Sequence, residues 1–268
     1  MVYRSALRWM DLRDIARERP ELRGEQNAGF ALLPEMADRT QEVLNAWGGY
    51  FDAGDFDRNV FHLDINFYLL LAYDLAPANF HDGEANIPES GNGVPDIIDE
   101  ARWNVDFFKR IQNSDGSVSA WLETVAHPVH GEGSWNDSYK EWYLSAPEPL
   151  ASYKFAGCAA YLAFIFEQHE WASPAEIASY RDAAERAFAW AQDPANRKPD
   201  DITANRRGVH DYRAFAAAAL FRLTGDTGYH QQFLDDNIVR APSSTLRQDG
   251  RNGEWSSWIY ALTEREGV

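Results

Sequence analysis

The sequence predicts an all-α protein. Apolar residues recur at three- and four-residue steps in about six long segments, which is the period of an amphipathic helix. Helix start and stop signals flank most of these segments. No stretch alternates apolar and polar residues over a useful length, and the sequence has neither a βαβ rhythm nor an internal repeat. Helix therefore follows helix, and antiparallel helix pairs are expected.

Two helices are predicted before residue 76. Helical spacing runs from residue 3 to about residue 18, and Pro20 stops it. Residues 19–50 show no clear period. Residues 59–75 are helical and strongly apolar, and this segment ends before Pro77.

A turn-rich loop at 86–95 leads into the next helix. Pro95 suits the first turn of that helix, and the carboxylates of Asp96 and Asp99 lie near its positive end. The helical steps continue to Ile111. A long irregular stretch then runs to about Pro147, and its tryptophans and histidines predict an ordered surface.

Helices also account for most of the second half of the chain. Ser173 and Glu176 form a capping box that opens one of them. Gly225 stands at the position that a helix C-cap favours, and Asp226 can cap the helix that follows. The predicted helices are 149–168, 173–192, 212–224, 226–238 and a last one that starts near Trp255.

Composition excludes several classes of function. The 268 residues include 25 Lys plus Arg and 42 Asp plus Glu, a net charge of −17 without a basic cluster, which argues against nucleic acid or an anionic membrane surface. The single cysteine, Cys158, excludes an intrachain disulfide, and His127-x-x-His130 matches no zinc spacing. We therefore expect neither a metal nor a cofactor. No signal peptide or membrane span is visible, so a soluble chain is expected and its location stays open.

Three carboxylates cluster in the turn at 48–57, which we call the acidic turn: Asp52, Asp55 and Asp57. Gly54 allows the backbone to turn tightly between the first two. A turn of this kind can direct Asp52 and Asp55 at one water molecule, which makes either a candidate general base. The alternative is a polar turn that only caps the following helix.

Four stretches resemble glycoside hydrolase family 9, the cellulase family. Gly49-Tyr-Phe-Asp-Ala-Gly-Asp55 resembles the G-x-x-D-A-G-D signature of that family. The stretch at 92–107 resembles N-G-[IV]-P-D-[IL]-L-D-E-A-[RK]-W, and the one at 216–226 resembles A-x-x-L-Y-R-A-T-G-D. The stretch at 112–116 resembles Q-x-x-D-G-G, but Ser117 replaces the second glycine. The four occur in the family's order.

The resemblance implies an (α/α)6 barrel, with twelve helices in two rings and a substrate cleft at one end. It also implies inverting hydrolysis of β-1,4-glucosidic bonds, without a cofactor, on a β-linked oligo- or polysaccharide. Asp55 would be the general base and Asp52 would help to hold the water.

Three further residues are candidates for binding substrate. The resemblance places His127 near the sugar at the cleavage point, although a lone histidine in a loop is more often a surface residue. Trp135 can be a sugar platform, which the aromatic content of 10 Trp, 12 Tyr and 15 Phe supports, or a core residue under the loop. Tyr212 corresponds to a cleft tyrosine of the family, but Phe215 replaces its tryptophan partner, which weakens a sugar platform and favours helix packing as the role of both residues.

The family's general acid has no counterpart. It is a glutamate in a late D-Y-x-x-N-E element, and this chain has neither that element nor the late H-x-P element. Inverting hydrolysis needs two carboxyl groups. We therefore interpret residues 1–268 as the N-terminal half of a family 9 catalytic domain, with six or seven of twelve helices.

Two functions remain open. The chain is either a glycoside hydrolase whose acid comes from elsewhere, or a non-catalytic carbohydrate-binding half-barrel that needs a partner segment. Its loops leave short oligosaccharides and amino-sugar chains open as substrates. A half-barrel would expose apolar surface, which predicts self-association or a complementing C-terminal half.

Overall fold

The computed structural model describes residues 2–5, 19–22, 28–52, 54, 56–58, 60–126, 131, 140–196, 207–237, 254–265 and 268. Within these ranges the chain is mainly helical, which confirms the predicted class. The helices are α1 (Ala28–Met36), α2 (Leu63–Leu75), α3 (Asp96–Ile111), α4 (Pro149–His169), α5 (Pro174–Gln192), α6 (Arg207–Thr224), α7 (Thr227–Asp236) and α8 (Glu254–Ala261). The strands are β1 (Val2–Ser5), β2 (Ala37–Val43), β3 (Phe56–Arg58), β4 (Trp121–Thr124) and β5 (Trp142–Leu144).

The helix boundaries follow the predicted capping signals. The Ser173 hydroxyl accepts a hydrogen bond from the Glu176 amide at 3.2 Å, so α5 begins at the predicted cap. Gly225 has a φ of +75° just after α6. The Asp226 carboxylate accepts from the Gly228 amide at 2.7 Å and caps α7. α6 starts at Arg207, earlier than the predicted residue 212.

A five-stranded sheet was missed from the sequence, and it overturns part of the first predicted helix. Val2–Ser5 is the strand β1, and residues 6–18 lie outside the described residues. The strand order is β2-β1-β5-β4-β3, with β1 parallel to β5 and the other pairs antiparallel. Most of these strands have three or four residues, too few for an alternating pattern to be recognised, and their partners are far away in sequence.

The core is centred on α4, which packs between α5 and α6. Small residues line this helix, and a side chain at Gly157 would collide with the ring of Phe215 on α6. By length and composition alone, α4 is the one described helix that could cross a membrane, but 89% of its most apolar window is buried inside the protein. That burial is typical of a core helix.

Candidate active site

The acidic turn is held against one face of α3. The Tyr50 hydroxyl donates to the carbonyl of Glu100 at 3.2 Å and also hydrogen-bonds to its carboxylate. The indole Nε1 of Trp103 donates to the Gly49 carbonyl at 3.4 Å. The α3 residues that contact the turn are Glu100, Trp103, Phe107 and Arg110. Their spacing places them along a single stripe of the helix, which therefore positions residues 47–51 at the start of the turn.

Aromatic and cationic contacts complete this attachment. Arg110 donates to the Trp47 carbonyl at 2.8 Å, and its guanidinium lies 3.8 Å from the centre of the Trp47 ring. Phe51 packs with its ring 6.0 Å from that of Phe107 and 5.1 Å from that of Trp142 on β5. The turn is thus fixed between α3 and the sheet.

Two adjacent glycines make the close approach to α3 geometrically feasible. Gly48 and Gly49 have φ values of +95° and +83°, which L side chains rarely adopt. A Cβ at Gly49 would lie 2.7 Å from Cδ1 of Phe107, and one at Gly48 would lie 2.8 Å from a terminal nitrogen of Arg110. Both steric and backbone requirements therefore explain the Gly-Gly pair that precedes the acidic residues.

The structure describes one of the two predicted catalytic carboxylates. Asp52 is exposed to solvent. Gly54 has a φ of +81°, so the backbone turns tightly here as predicted. Asp55 lies outside the described residues, and its distance from Asp52 stays a prediction.

The third carboxylate, Asp57, belongs to the sheet and to the start of α2. β3 pairs with β4, with Asp57 opposite Leu122, and the Asp57 side chain is buried. Its Oδ1 atom accepts from the His62 amide at 3.4 Å and lies 3.2 Å from Nδ1 of the His62 ring. Asp57 therefore holds His62, the residue that immediately precedes α2, but no side chain caps the first turn of that helix, so Asp57 is not its cap.

An ion pair between α4 and α2 was missed from the sequence. The Lys154 ammonium on α4 is 2% exposed and pairs with Asp64 in the first turn of α2. Burial raises the pKa of the Asp64 carboxyl above its ordinary value, and the attraction of Lys154 offsets only part of that rise. A sequence signal was present, since Lys154 is the only charged residue between Pro149 and Phe166.

Three aromatic rings enclose the Lys154 ammonium. Its nitrogen lies 5.0 Å from the ring centre of Tyr212, 5.6 Å from that of Trp255 and 5.9 Å from that of Phe61. Tyr212 also meets Trp255 edge-on at 5.3 Å. Burial, followed by the negative charge of Asp64, raises the pKa of the Tyr212 hydroxyl.

The outcomes for the other predicted substrate residues differ. Tyr212 is half-buried and belongs to the cluster around Lys154, so helix packing accounts for its present contacts, while its contact with substrate stays a prediction. His127 and Trp135, together with His130, lie outside the described residues. Within the described ranges, no group of three His, Cys, Asp or Glu side chains is arranged to hold a metal ion.

Comparison with known proteins matches residues 11–264 to the model of glycosyl hydrolase family 9. A cellulose 1,4-beta-cellobiosidase of Acetivibrio thermocellus is 27% identical over 91% of this chain and 31% of its own length. Endoglucanase C of Cellulomonas fimi is 30% identical over 69% of this chain and 18% of its own length. The chain thus spans a third or less of these two relatives.

Solved structures extend the comparison to the fold. A metagenome-derived glycoside hydrolase family 9 endoglucanase matches with a TM-score of 0.64 and 29% identity, over 81% of this chain and 40% of that one. A Bacteroides ovatus structure matches in fold with a TM-score of 0.70 and 23% identity, over 87% of this chain and 45% of that one. The described helices therefore correspond to less than half of each neighbour.

Proposed function

Because the chain belongs to glycosyl hydrolase family 9, we propose that it is the base-carrying half of a hydrolase acting on β-1,4-linked glucans. The observation that carries this proposal is the acidic turn. Its backbone is locked onto α3 by hydrogen bonds, ring contacts and two glycines, while Asp52 faces solvent. A backbone held in this way next to an exposed carboxylate, that of Asp52, suits the positioning of a nucleophilic water.

In the proposed reaction, Asp55 removes a proton from a water molecule that Asp52 helps to orient. The water attacks the anomeric carbon while the glycosidic bond breaks, and the configuration at that carbon inverts. The contacts of residues 47–51 with α3 hold the backbone that leads into Asp52, so little reorganisation of that backbone is needed when the water loses its proton.

The leaving oxygen also needs a proton. Inverting enzymes use a second carboxyl group about 6.5–9.5 Å from the base. We propose that this group comes from a segment outside residues 1–268, because the late family elements that carry it have no match here and the chain spans only 31% of the Acetivibrio relative.

The relatives suggest the class of substrate. A cellobiosidase, an endoglucanase and a xyloglucan-specific endo-beta-1,4-glucanase of Bacteroides ovatus are among them, and the last is 27% identical over 72% of this chain. We propose the β-1,4-glucan backbone as the shared feature that this chain would recognise.

The test uses the chain co-expressed with the part of the metagenome-derived endoglucanase that it does not match. We expect reducing-sugar release from swollen cellulose, and a loss of about 10²–10⁴-fold on Asp55→Asn, because the general base is removed. Asp235→Asn, on the exposed side of α7, is the matched control and should retain the activity. Hydrolysis that survives Asp55→Asn would contradict the proposal.

The isolated chain separates the two open functions. We expect it to bind cello-oligosaccharides without releasing reducing sugar, because the acid is absent. Turnover by the pure chain would show that the acid lies within residues 1–268.

A further inference from the structure

Trp47 presents an exposed indole immediately before the acidic turn. It is 56% exposed, more than any other tryptophan that the structure describes. Its carbonyl accepts a hydrogen bond from Arg110 at 2.8 Å, and the Arg110 guanidinium lies over the indole, 3.8 Å from the ring centre. The Trp103 ring meets it at an angle of 61°, with the two centres 5.8 Å apart. Trp47 is therefore open to solvent although its position is fixed.

Packing in the core does not account for this pair of rings. The buried face of α3 is formed by other residues, among them Ile98, Ala101 and Val105, none of which is exposed. Trp103, which is 36% exposed, lies on the stripe of α3 that contacts Trp47 and the turn. Neighbouring exposed aromatic rings in a polar surface are typical of a binding site.

A fixed indole is suited to stack on a flat ligand. Tryptophan offers a large apolar surface with only two side-chain torsions, so little conformational freedom is lost when a ligand stacks on it. The ring substituents of β-linked glucose are all equatorial, and both faces of its ring therefore carry only C–H groups. Such a face is flat, neutral and apolar, which matches the exposed part of the Trp47 indole.

We propose that Trp47 is a stacking platform for a neutral β-linked glucan, on the side of α3 that faces away from the core. The inference rests on the proposed function, which supplies the class of ligand. The net charge of −17 favours a neutral polysaccharide over an acidic one. The Arg110 guanidinium does not change this preference, since it is already engaged with the ring and the carbonyl of Trp47.

The platform and the acidic turn are attached to the same helix. Tyr50 is held by Glu100 and Trp47 by Arg110, and these two α3 residues lie ten positions apart, about 15 Å along a helix. Trp47 precedes Asp52 by five residues. A glucan bound at Trp47 is thus held near the acidic turn, which raises the local concentration of substrate there.

A protein partner would be a different occupant of the same rings. A protein interface of ordinary size needs a broad apolar centre. The strand β2, which leads towards Trp47, instead exposes five polar residues in succession, 38–42. Two indoles beside a polar strand fit a sugar chain better, because its hydroxyl groups bind polar side chains while its ring faces stack on aromatic ones.

The first experiment is affinity electrophoresis of the full chain in gels that contain hydroxyethylcellulose, a neutral soluble glucan. We expect the wild type to be retarded and Trp47→Ala to weaken binding at least about fivefold, because the stacking surface is lost. Trp47→Phe should weaken binding less, since a flat ring remains. Trp258→Ala is the matched control, because Trp258 is also exposed, by 42%, but lies on α8. Gels with the acidic polysaccharide polygalacturonate should not retard the wild type.

A second experiment observes the ring directly and does not depend on a loss of affinity. The full chain is labelled with 5-fluorotryptophan, and the fluorine resonances of Trp47 and Trp258 are assigned by their absence in Trp47→Phe and Trp258→Phe. We expect an excess of cellohexaose to shift the Trp47 resonance by more than its line width and to leave the Trp258 resonance in place.

Each outcome decides the inference. A Trp47 resonance that cellohexaose does not move, or retardation that Trp47→Ala leaves intact, would overturn it, and equal retardation by polygalacturonate would refute the preference for a neutral chain. A resonance that moves only when the complementing polypeptide is added would assign the ring to a protein contact. Hydrolysis by the complemented protein without a shift at Trp47 would refute the platform but keep the proposed function, whereas a shift without hydrolysis would do the reverse.

Discussion

Lys154 shows how one residue can connect the core to the candidate site. Its ammonium lies among the helices yet pairs with Asp64, whose side chain is 26% exposed. Burying a charge is unfavourable unless it is paired, so Asp64 and the surrounding rings stabilise the cation together.

We predict that Lys154→Met destabilises the fold by about 2–3 kcal/mol in urea unfolding, because Asp64 is left without its cation. This is less than a fully buried pair would give, since Asp64 keeps some contact with solvent. Adding Asp64→Asn should recover part of the loss. A double variant that is less stable than Lys154→Met would contradict the ion-pair interpretation.

Asp96 lies at the start of α3, as the sequence predicts, but its carboxylate makes contacts that the sequence did not predict. The sequence places it at the positive end of α3, and it is the first residue of that helix. Its carboxylate instead accepts hydrogen bonds from the Gly83 amide at 3.1 Å, the Ala85 amide and the Ser90 hydroxyl at 3.0 Å. These bonds lower the pKa of Asp96 and hold the preceding loop against the helix.

At the scale of the element, α3 acts as the support of the acidic turn. Its amphipathic period and its start near Pro95 could be predicted from the sequence, because both are local signals. The contacts of α3 with the acidic turn could not be predicted. Glu100, Trp103 and Phe107 make them with residues about 50 positions earlier in the chain.

We predict that Gly49→Ala destabilises the protein by about 1–3 kcal/mol, because it combines a left-handed backbone with a collision against Phe107. Gly83→Ala is the matched control. Gly83 has a similar φ of +85° but no atom within 4 Å of a Cβ there.

The difference in stability between these two variants measures the effect of the collision with Phe107. Thermal unfolding of both, with hydrolysis of the complemented protein, provides the comparison. Equal losses in stability for the two substitutions would show that Phe107 does not restrict the turn.

At the scale of the whole molecule, Trp255 joins helices that are distant in sequence. Its ring stacks on that of Phe67 at 4.2 Å and meets Tyr212 and Phe215 edge-on, each at 5.3 Å. α8 is thereby tied to both α2 and α6. The sequence predicted a helix near Trp255 but not this meeting point.

We predict that Trp255→Ala destabilises the chain by about 3–5 kcal/mol in urea unfolding, because a buried aromatic ring and its stacking contact with Phe67 are lost. Trp258→Ala, on the same short helix, should change stability by about 0.5 kcal/mol or less, since Trp258 is 42% exposed. Similar effects of the two substitutions would refute the view that α8 is held through Trp255.

The sequence by itself determined the helical class, most helix ends, the acidic turn with its glycines, and the family. These features depend on short segments of sequence, in which capping residues, apolar spacing and motifs determine local structure. The proposed role of Asp55 follows from the same motif and is carried forward as a prediction.

Only the tertiary structure decided the sheet, the Asp64–Lys154 pair, the clustering around Trp255 and the exposure of Phe61 and Leu75 at the two ends of α2. Each depends on which distant segments meet, and a local pattern carries no information on that pairing. An apolar helix face looks the same in a sequence whether it is covered or open. In this protein the fold buries one face of α2 completely, while Phe61, Tyr68 and Leu75 on the other face stay partly exposed.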